Sequence, residues 1–363
     1  MKKQLLASGS LWLLACYAGA QTPSTGIVIP QDQLDECLRS TVTGAADTMS
    51  VKELKEACAL LLDKKQVVTT TEEQVPPTAE AVLVDPGTEN RATRERLTVE
   101  ALNRSNRFML TPHKRNYILP AVYKDNPNNE PYIEADTQLQ DLKHTEAEFQ
   151  LSVKILLREG IFGDNGHLYL GYTNHSFWQV YNRDISAPFR ETSHQPELIL
   201  SFTNDWEIFG FRNVLNEAIL NHQSNGQSGI LSRSWNRIMF NSVFEKDNFV
   251  FMFKPWYRLP EKKAKYRGDP KGDDNPDIER FLGHFEFTTA YQHRNNIYSM
   301  MLRNNLRSDN KGAIELGWSF PVSSRSQTIR GYVKYFNGYG ESLIDYNDYT
   351  QSIGVGVLFT DLF

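Results

Sequence analysis

From about Asn106 onward the chain alternates apolar and polar residues, and this alternation narrows the possible folds more than any other feature. Phe149, Leu151, Val153, Ile155 and Leu157 fall on one side of an extended chain, with Gln150, Ser152 and Lys154 on the other. Successive side chains of a strand point to opposite faces, so a period of two builds a sheet with one greasy face. Leu168, Leu170 and Tyr172 repeat the pattern, as do Ile238, Phe240 and Phe244 against Arg237 and Asn241. Further strand-like segments lie near 194–203, 248–257, 281–291, 296–304, 313–320, 328–336 and 350–359. Turn-rich stretches separate them, among them Gly160–Gly166, Glu245–Asn248 and Asn305–Gly312.

A soluble secreted sandwich and a membrane barrel both satisfy this pattern. A mean hydropathy of −0.49 does not separate them, because barrel strands average greasy and polar positions. Nor does a net charge of −5, although it goes against a nucleic-acid partner, and none is expected. Two observations favour the barrel. Short turns alternate with long polar loops (182–195, 259–277 and 337–349), the asymmetry between the two rims of an outer-membrane barrel. The sequence then ends on a strand whose Ile353, Val355, Val357, Phe359 and Phe363 share one face, interrupted at Asp361. At about twenty residues per strand and connection, residues 105–363 predict an all-β, antiparallel barrel of about twelve transmembrane strands.

The N-terminal third differs. Lys2 and Lys3, the apolar stretch Leu5–Ala15 and the small residues Ala18-Gly19-Ala20 read as a signal peptide over 1–20, cleaved before Gln21. Leu13-Leu14-Ala15 before Cys16 leaves lipoprotein processing as the alternative. With Cys16 removed, Cys37 and Cys58 form an even pair in an oxidising compartment, and a disulfide between them is expected. Both fall in segments of helical spacing, 31–41 and 50–62, the second opened by the capping box Ser50 and Glu53. Residues 21–66 therefore predict a small helical periplasmic module, and 67–104, with Thr69-Thr70-Thr71 and Pro76-Pro77, a linker.

The candidate chemistry is concentrated in one hairpin. The sequence has no Gly-x-Ser-x-Gly elbow and no His-Glu-x-x-His helix, but it carries Asn221-His222-Gln223-Ser224-Asn225-Gly226 and, shortly after, Ser232-Arg233-Ser234-Trp235-Asn236-Arg237. By strand parity Ala218, Leu220, His222 and Ser224 share a side, and Asn236 shares its side with Ile238 and Phe240. A turn around 225–231 brings these outer faces together. A serine hydroxyl needs a neighbouring imidazole to take its proton, and the imidazole needs a partner that fixes its tautomer, which an amide oxygen can be. Three polar residues on a lipid-facing wall are costly there, and such placement points to function.

These motifs resemble outer membrane phospholipase A. The resemblance runs from about Thr111 to Phe363 through Gly163-Asp164-Asn165, Tyr172-Thr173, Trp178-Gln179, Pro188–Thr192, Asn221-His222, Ser224–Gly226, Ser232–Arg237, Lys254–Tyr257, Asp273–Ile278, Gly338–Tyr346 and Asp361–Phe363. It implies a calcium-dependent twelve-stranded barrel, active as a homodimer, that hydrolyses acyl esters of membrane phospholipids and lysophospholipids at either ester position (A1 and A2). It also implies residue roles. Ser224 matches the nucleophile, His222 the base and Asn236 the residue orienting it. Ser232 matches a calcium ligand, and Gln227 and Ser186 match positions lending backbone carbonyls, the latter from the partner subunit. Asp274, in Asp273-Asp274-Asn275-Pro276-Asp277, is a candidate for a further calcium, with a solvated acidic loop as the alternative. Asn174 stands where the family has a glutamine in the dimer contact, and Gln227 where it can have arginine. A non-enzymatic pore or adhesin on the same scaffold is the alternative.

Overall fold

A computed structural model describes residues 93–362 except 105, 107 and 324–328. The expected signal peptide, the expected helical module and Cys37–Cys58 disulfide, the expected linker up to residue 92 and the terminal Phe363 lie outside the described residues.

Twelve antiparallel strands close a barrel. In chain order they follow a two-residue strand β1 (Thr111–Pro112), which pairs only with β3. They are β2 (Asn116–Lys124), β3 (Thr145–Arg158), β4 (His167–Trp178), β5 (Phe189–Ile208), β6 (Phe211–Ser224) and β7 (Ser234–Lys246), then β8 (Phe249–Arg258), β9 (Phe285–His293), β10 (Asn296–Asn304), β11 (Gly312–Pro321), β12 (Arg330–Tyr339) and β13 (Tyr349–Thr360). Each pairs with its sequence neighbours, and β13 returns to β2 with Ile353 opposite Tyr123. Two-residue turns at 209–210, 247–248 and 294–295 lie at one rim, whereas the connections 179–188, 225–233 and 259–284 lie at the other.

The alternation sorts side chains as expected, greasy outward and polar inward. On β3 and β4, Leu151, Leu170 and Tyr172 face out and are exposed, while Ser152 and Lys154 are buried inside. Charged side chains fill the lumen. Arg190 donates to Glu146 Oε2 (3.0 Å) and to Asp345 Oδ2 (2.6 Å), and His113 meets Glu197 at 2.8 Å. Glu148 accepts from Tyr117 Oη (2.6 Å) and pairs with His175 and Lys334. Buried charges are tolerable only when paired this way. Replacing Glu148 with Ala should cost roughly 3 kcal/mol, at the lower end of the range for breaking a buried pair, because Glu341 remains 3.5 Å from Lys334 Nζ. A lowered guanidinium unfolding midpoint in detergent micelles is the expected result, and an unchanged midpoint would refute it.

Three sequence expectations need correction, and one strand is additional to those expected. The additional strand is β2, whose Pro120 sits at a bulge where the pairing shifts between Leu119 and Val122. Facing it, a Cβ on Gly356 would lie 2.1 Å from the Ile118 carbonyl, so only glycine permits that approach. Residues 278–282 form a short helix, so the strand expected from 281 starts at Phe285. Strand β5 begins at Phe189, inside the expected loop 182–195. The last part of the expected linker is a helix, α1 (Arg94–Arg104). It docks through polar contacts: Glu100 accepts from Lys154 Nζ at 2.7 Å, and Arg96 Nη1 donates to the Asp361 and Leu362 carbonyls at 3.1 and 3.2 Å. The interruption at Asp361 also has a cause. Past the end of β13 its carboxylate turns inward and accepts from Arg115 Nε (2.9 Å) and Ser319 Oγ (2.6 Å).

Candidate active site

Strands β6 and β7 pair in the register that strand parity required, with His222 opposite Asn236 and Ser224 opposite Ser234. All four side chains therefore face outward near the long-loop rim. His222 Nδ1 lies 2.8 Å from Asn236 Oδ1. The amide oxygen can only accept, so Nδ1 carries the proton and Nε2 is left as the basic nitrogen. Ser224 lies on the same face two residues on, where its Oγ accepts the Gly226 N–H at 3.1 Å. Gly226 supplies this contact with a left-handed φ of 65°.

Asn225, buried between the two strands, holds the hairpin loop. Its Oδ1 accepts the N–H groups of Gln227 (3.2 Å) and Arg233 (3.0 Å), and its Nδ2 donates to the Leu231 carbonyl (2.8 Å). Gln227 and Ser232 are thereby placed at opposite ends of one short loop. Ser232 Oγ donates to Asp274 Oδ2 at 2.7 Å, and Ser234 Oγ approaches the same oxygen at 3.3 Å. Neighbouring Asp273 is taken up by Arg258 at 2.5 Å, so Asp274 is the carboxylate turned toward Ser232.

The structure therefore brings together Ser224, His222 and Asn236, and separately Ser232 and Asp274. It does not bring Ser186 to them. Ser186 is exposed on the loop between β4 and β5, with a left-handed φ of 62°. Among the described residues no group of three or more His, Cys, Asp or Glu side chains gathers. The oxygens present are a hydroxyl, one carboxylate and backbone carbonyls, which suit a hard cation and not a transition metal. Asn174, on β4, lies opposite His194 on β5, and His194 lies opposite Ser224. Asn174 is thus two strands from Ser224 on the same outer face, roughly 10 Å away at the usual strand spacing.

A family model described as Phospholipase A1 matches residues 93–359, nearly the whole of the described chain. The chain belongs to the phospholipase A1 family. Phospholipase A1 of Klebsiella pneumoniae is 37% identical over 258 residues, 71% of this chain and 85% of the relative. The Salmonella typhi outer membrane phospholipase, solved as a dimer with bound calcium, superposes with a TM-score of 0.65 at 35% identity, covering 71% of this chain and 94% of that one. An active-site mutant of the Escherichia coli outer membrane phospholipase A, with an asparagine changed to alanine, gives the same score, identity and coverage. This member of the phospholipase A1 family is accordingly an ester hydrolase of the bacterial outer membrane, built on a closed twelve-stranded barrel.

Sequence reasoning missed two polar neighbours of the site. His194 faces outward beside Ser224, its Nδ1 2.6 Å from Tyr172 Oη; in the sequence it falls where the expected loop 182–195 overlaps the strand-like segment 194–203. Glu261 accepts the Nδ2–H of Asn236 at 3.0 Å from the long loop after β8. Burial raises the pKa of Glu261, partly offset by that amide hydrogen bond.

Proposed function

We propose that the chain hydrolyses acyl esters of phospholipids and lysophospholipids in the outer membrane through Ser224, His222 and Asn236. The observation that carries the proposal is the His222 Nδ1–Asn236 Oδ1 contact of 2.8 Å on a lipid-facing wall, with Ser224 on the same face. Nε2 takes the Ser224 proton as Oγ attacks the ester carbonyl. The resulting imidazolium, steadied by the Asn236 oxygen, then protonates the departing glycerol oxygen. A water activated by the same Nε2 releases the fatty acid from the serine ester.

The donor set suits calcium, with Ser232 Oγ and the Gln227 carbonyl from one chain and the Ser186 carbonyl from a second copy. Bound there, calcium would supply electrostatic stabilisation of the oxyanion. Asp274, hydrogen-bonded to Ser232, is placed for a further calcium. The resemblance assigns the Ser186 carbonyl to a second copy, so the active form is a homodimer, with Asn174 in the contact. Asparagine can hydrogen-bond across such an intramembrane interface. The relative solved as a calcium-bound dimer supports this reading.

The test is fatty-acid release from phospholipid vesicles, set against ion conductance of the same preparation. Release without conductance is expected; conductance without release would identify a non-enzymatic pore on this scaffold. Asn236→Ala should lower kcat by roughly 10²-fold. That is well short of the about 10⁴ lost when a triad partner enforces the wrong tautomer, because the N–H of His222 can still find water. Full kcat in this variant would remove Asn236 from the mechanism.

A further inference from the structure

Asn236 has two chemically different ends on one planar group. A rotation of half a turn exchanges the accepting oxygen and the donating NH₂. Presented to Nδ1 of His222, the NH₂ end would demand the opposite tautomer and place the proton on Nε2, leaving no base for Ser224. Something must therefore hold the amide the right way round.

The loop after β8 does so. The Leu259 N–H donates to the Asn236 carbonyl at 2.8 Å, carrying the β7–β8 pairing one residue past Arg258. Glu261 follows two residues later on the same side, and its Oε1 accepts the Asn236 Nδ2–H at 3.0 Å. A carboxylate can only accept, so it selects the NH₂ end of Asn236 and turns Oδ1 toward His222. We infer that Glu261 is a fourth, positioning member of the catalytic chain, locking the Asn236 amide and placing a negative charge behind it when the imidazolium forms. The inference rests on the triad reading above.

The surrounding charges leave Glu261 free for this task. Arg258 is engaged by Asp273 at 2.5 Å, and Asp274 is hydrogen-bonded to Ser232. On the β6 side the titratable group facing Asn236 is His222 itself, with His194 one strand beyond Ser224. Burial holds the Glu261 pKa above the ordinary carboxylate value, and the Asn236 amide bond offsets part of that rise.

The test compares wild type with Glu261→Ala, Glu261→Gln and Glu261→Asp on phosphatidylcholine vesicles, reading kcat, KM and the pH dependence of kcat. All three variants should migrate as folded barrels, because the change lies on a loop outside the strands. In the Ala and Gln variants kcat should fall roughly 10- to 100-fold, the loss typical of a hydrogen bond to a charged group, with KM unchanged. The sign of the pH effect follows from charge. The carboxylate favours the His222 imidazolium, so its removal lowers the base's pKa and moves the acid limb of kcat to lower pH. Asp, which keeps the charge on a shorter arm, should recover part of kcat and return the limb toward its wild-type position. An unchanged kcat and acid limb in both Ala and Gln would overturn the inference, as would a change confined to KM, which would make Glu261 a substrate contact. Ser224→Ala, run in parallel, separates the two failures. If it stays fully active the triad reading falls; if it is dead while the Glu261 variants behave as wild type, only the role of Glu261 falls.

Discussion

Replacing Ser224 with Ala is expected to lower fatty-acid release from phospholipid vesicles by about 10⁶-fold, the loss seen when a serine nucleophile is removed from a hydrolase triad. The barrel should survive the change. Ser224 Oγ makes one local hydrogen bond, to the Gly226 N–H, on the outer face of a strand whose backbone pairing does not involve the hydroxyl. The informative measurement pairs release kinetics with a guanidinium unfolding curve. Lost activity with an unmoved unfolding midpoint identifies the nucleophile. Retained turnover in a folded variant would end the case for the triad, whatever the fold similarity.

Removing calcium is expected to have the next largest effect. A chelator should cut turnover by on the order of 10²–10³, the cost of losing one stabiliser of the oxyanion. Added calcium should restore activity and magnesium should not. Magnesium demands near-ideal octahedral geometry and gives up water reluctantly, whereas a site of scattered carbonyls and a hydroxyl suits the larger, more tolerant ion. A calcium site shared between two copies, as proposed for the Ser186 carbonyl, makes activity depend on protein concentration, so diluting the protein in detergent should depress activity even at saturating calcium. Turnover indifferent to chelation would refute the calcium site, and turnover proportional to protein at all dilutions would refute its sharing between two copies.

How far the site was legible follows from the distance in sequence over which each contact is made. His222, Ser224 and Asn236 lie on one hairpin, and strand parity with a short turn already places them on one outer face. Glu261 lies 3.0 Å from the Asn236 amide, yet it comes from a charged loop with no periodicity and reads there as a solvated side chain. Ser232 and Asp274 were each singled out, but nothing in the sequence indicated that they touch at 2.7 Å. Helix α1 was hidden for a related reason. Arg94–Arg104 carries few apolar residues, and its hydrogen-bond partners are far away in the chain, Lys154 on β3 and Asp361 and Leu362 beyond β13.

Alternation by itself determined that this chain forms strands and which residues share a face of the sheet. Those properties depend on a period of two, which operates within a single strand. Tertiary structure alone decided where the barrel closes, with β13 on β2, how the buried charges pair across the lumen, and which loop reaches back to the Asn236 amide. Those outcomes depend on the meeting of residues far apart in the chain, and a local pattern carries no record of which distant partner will be found.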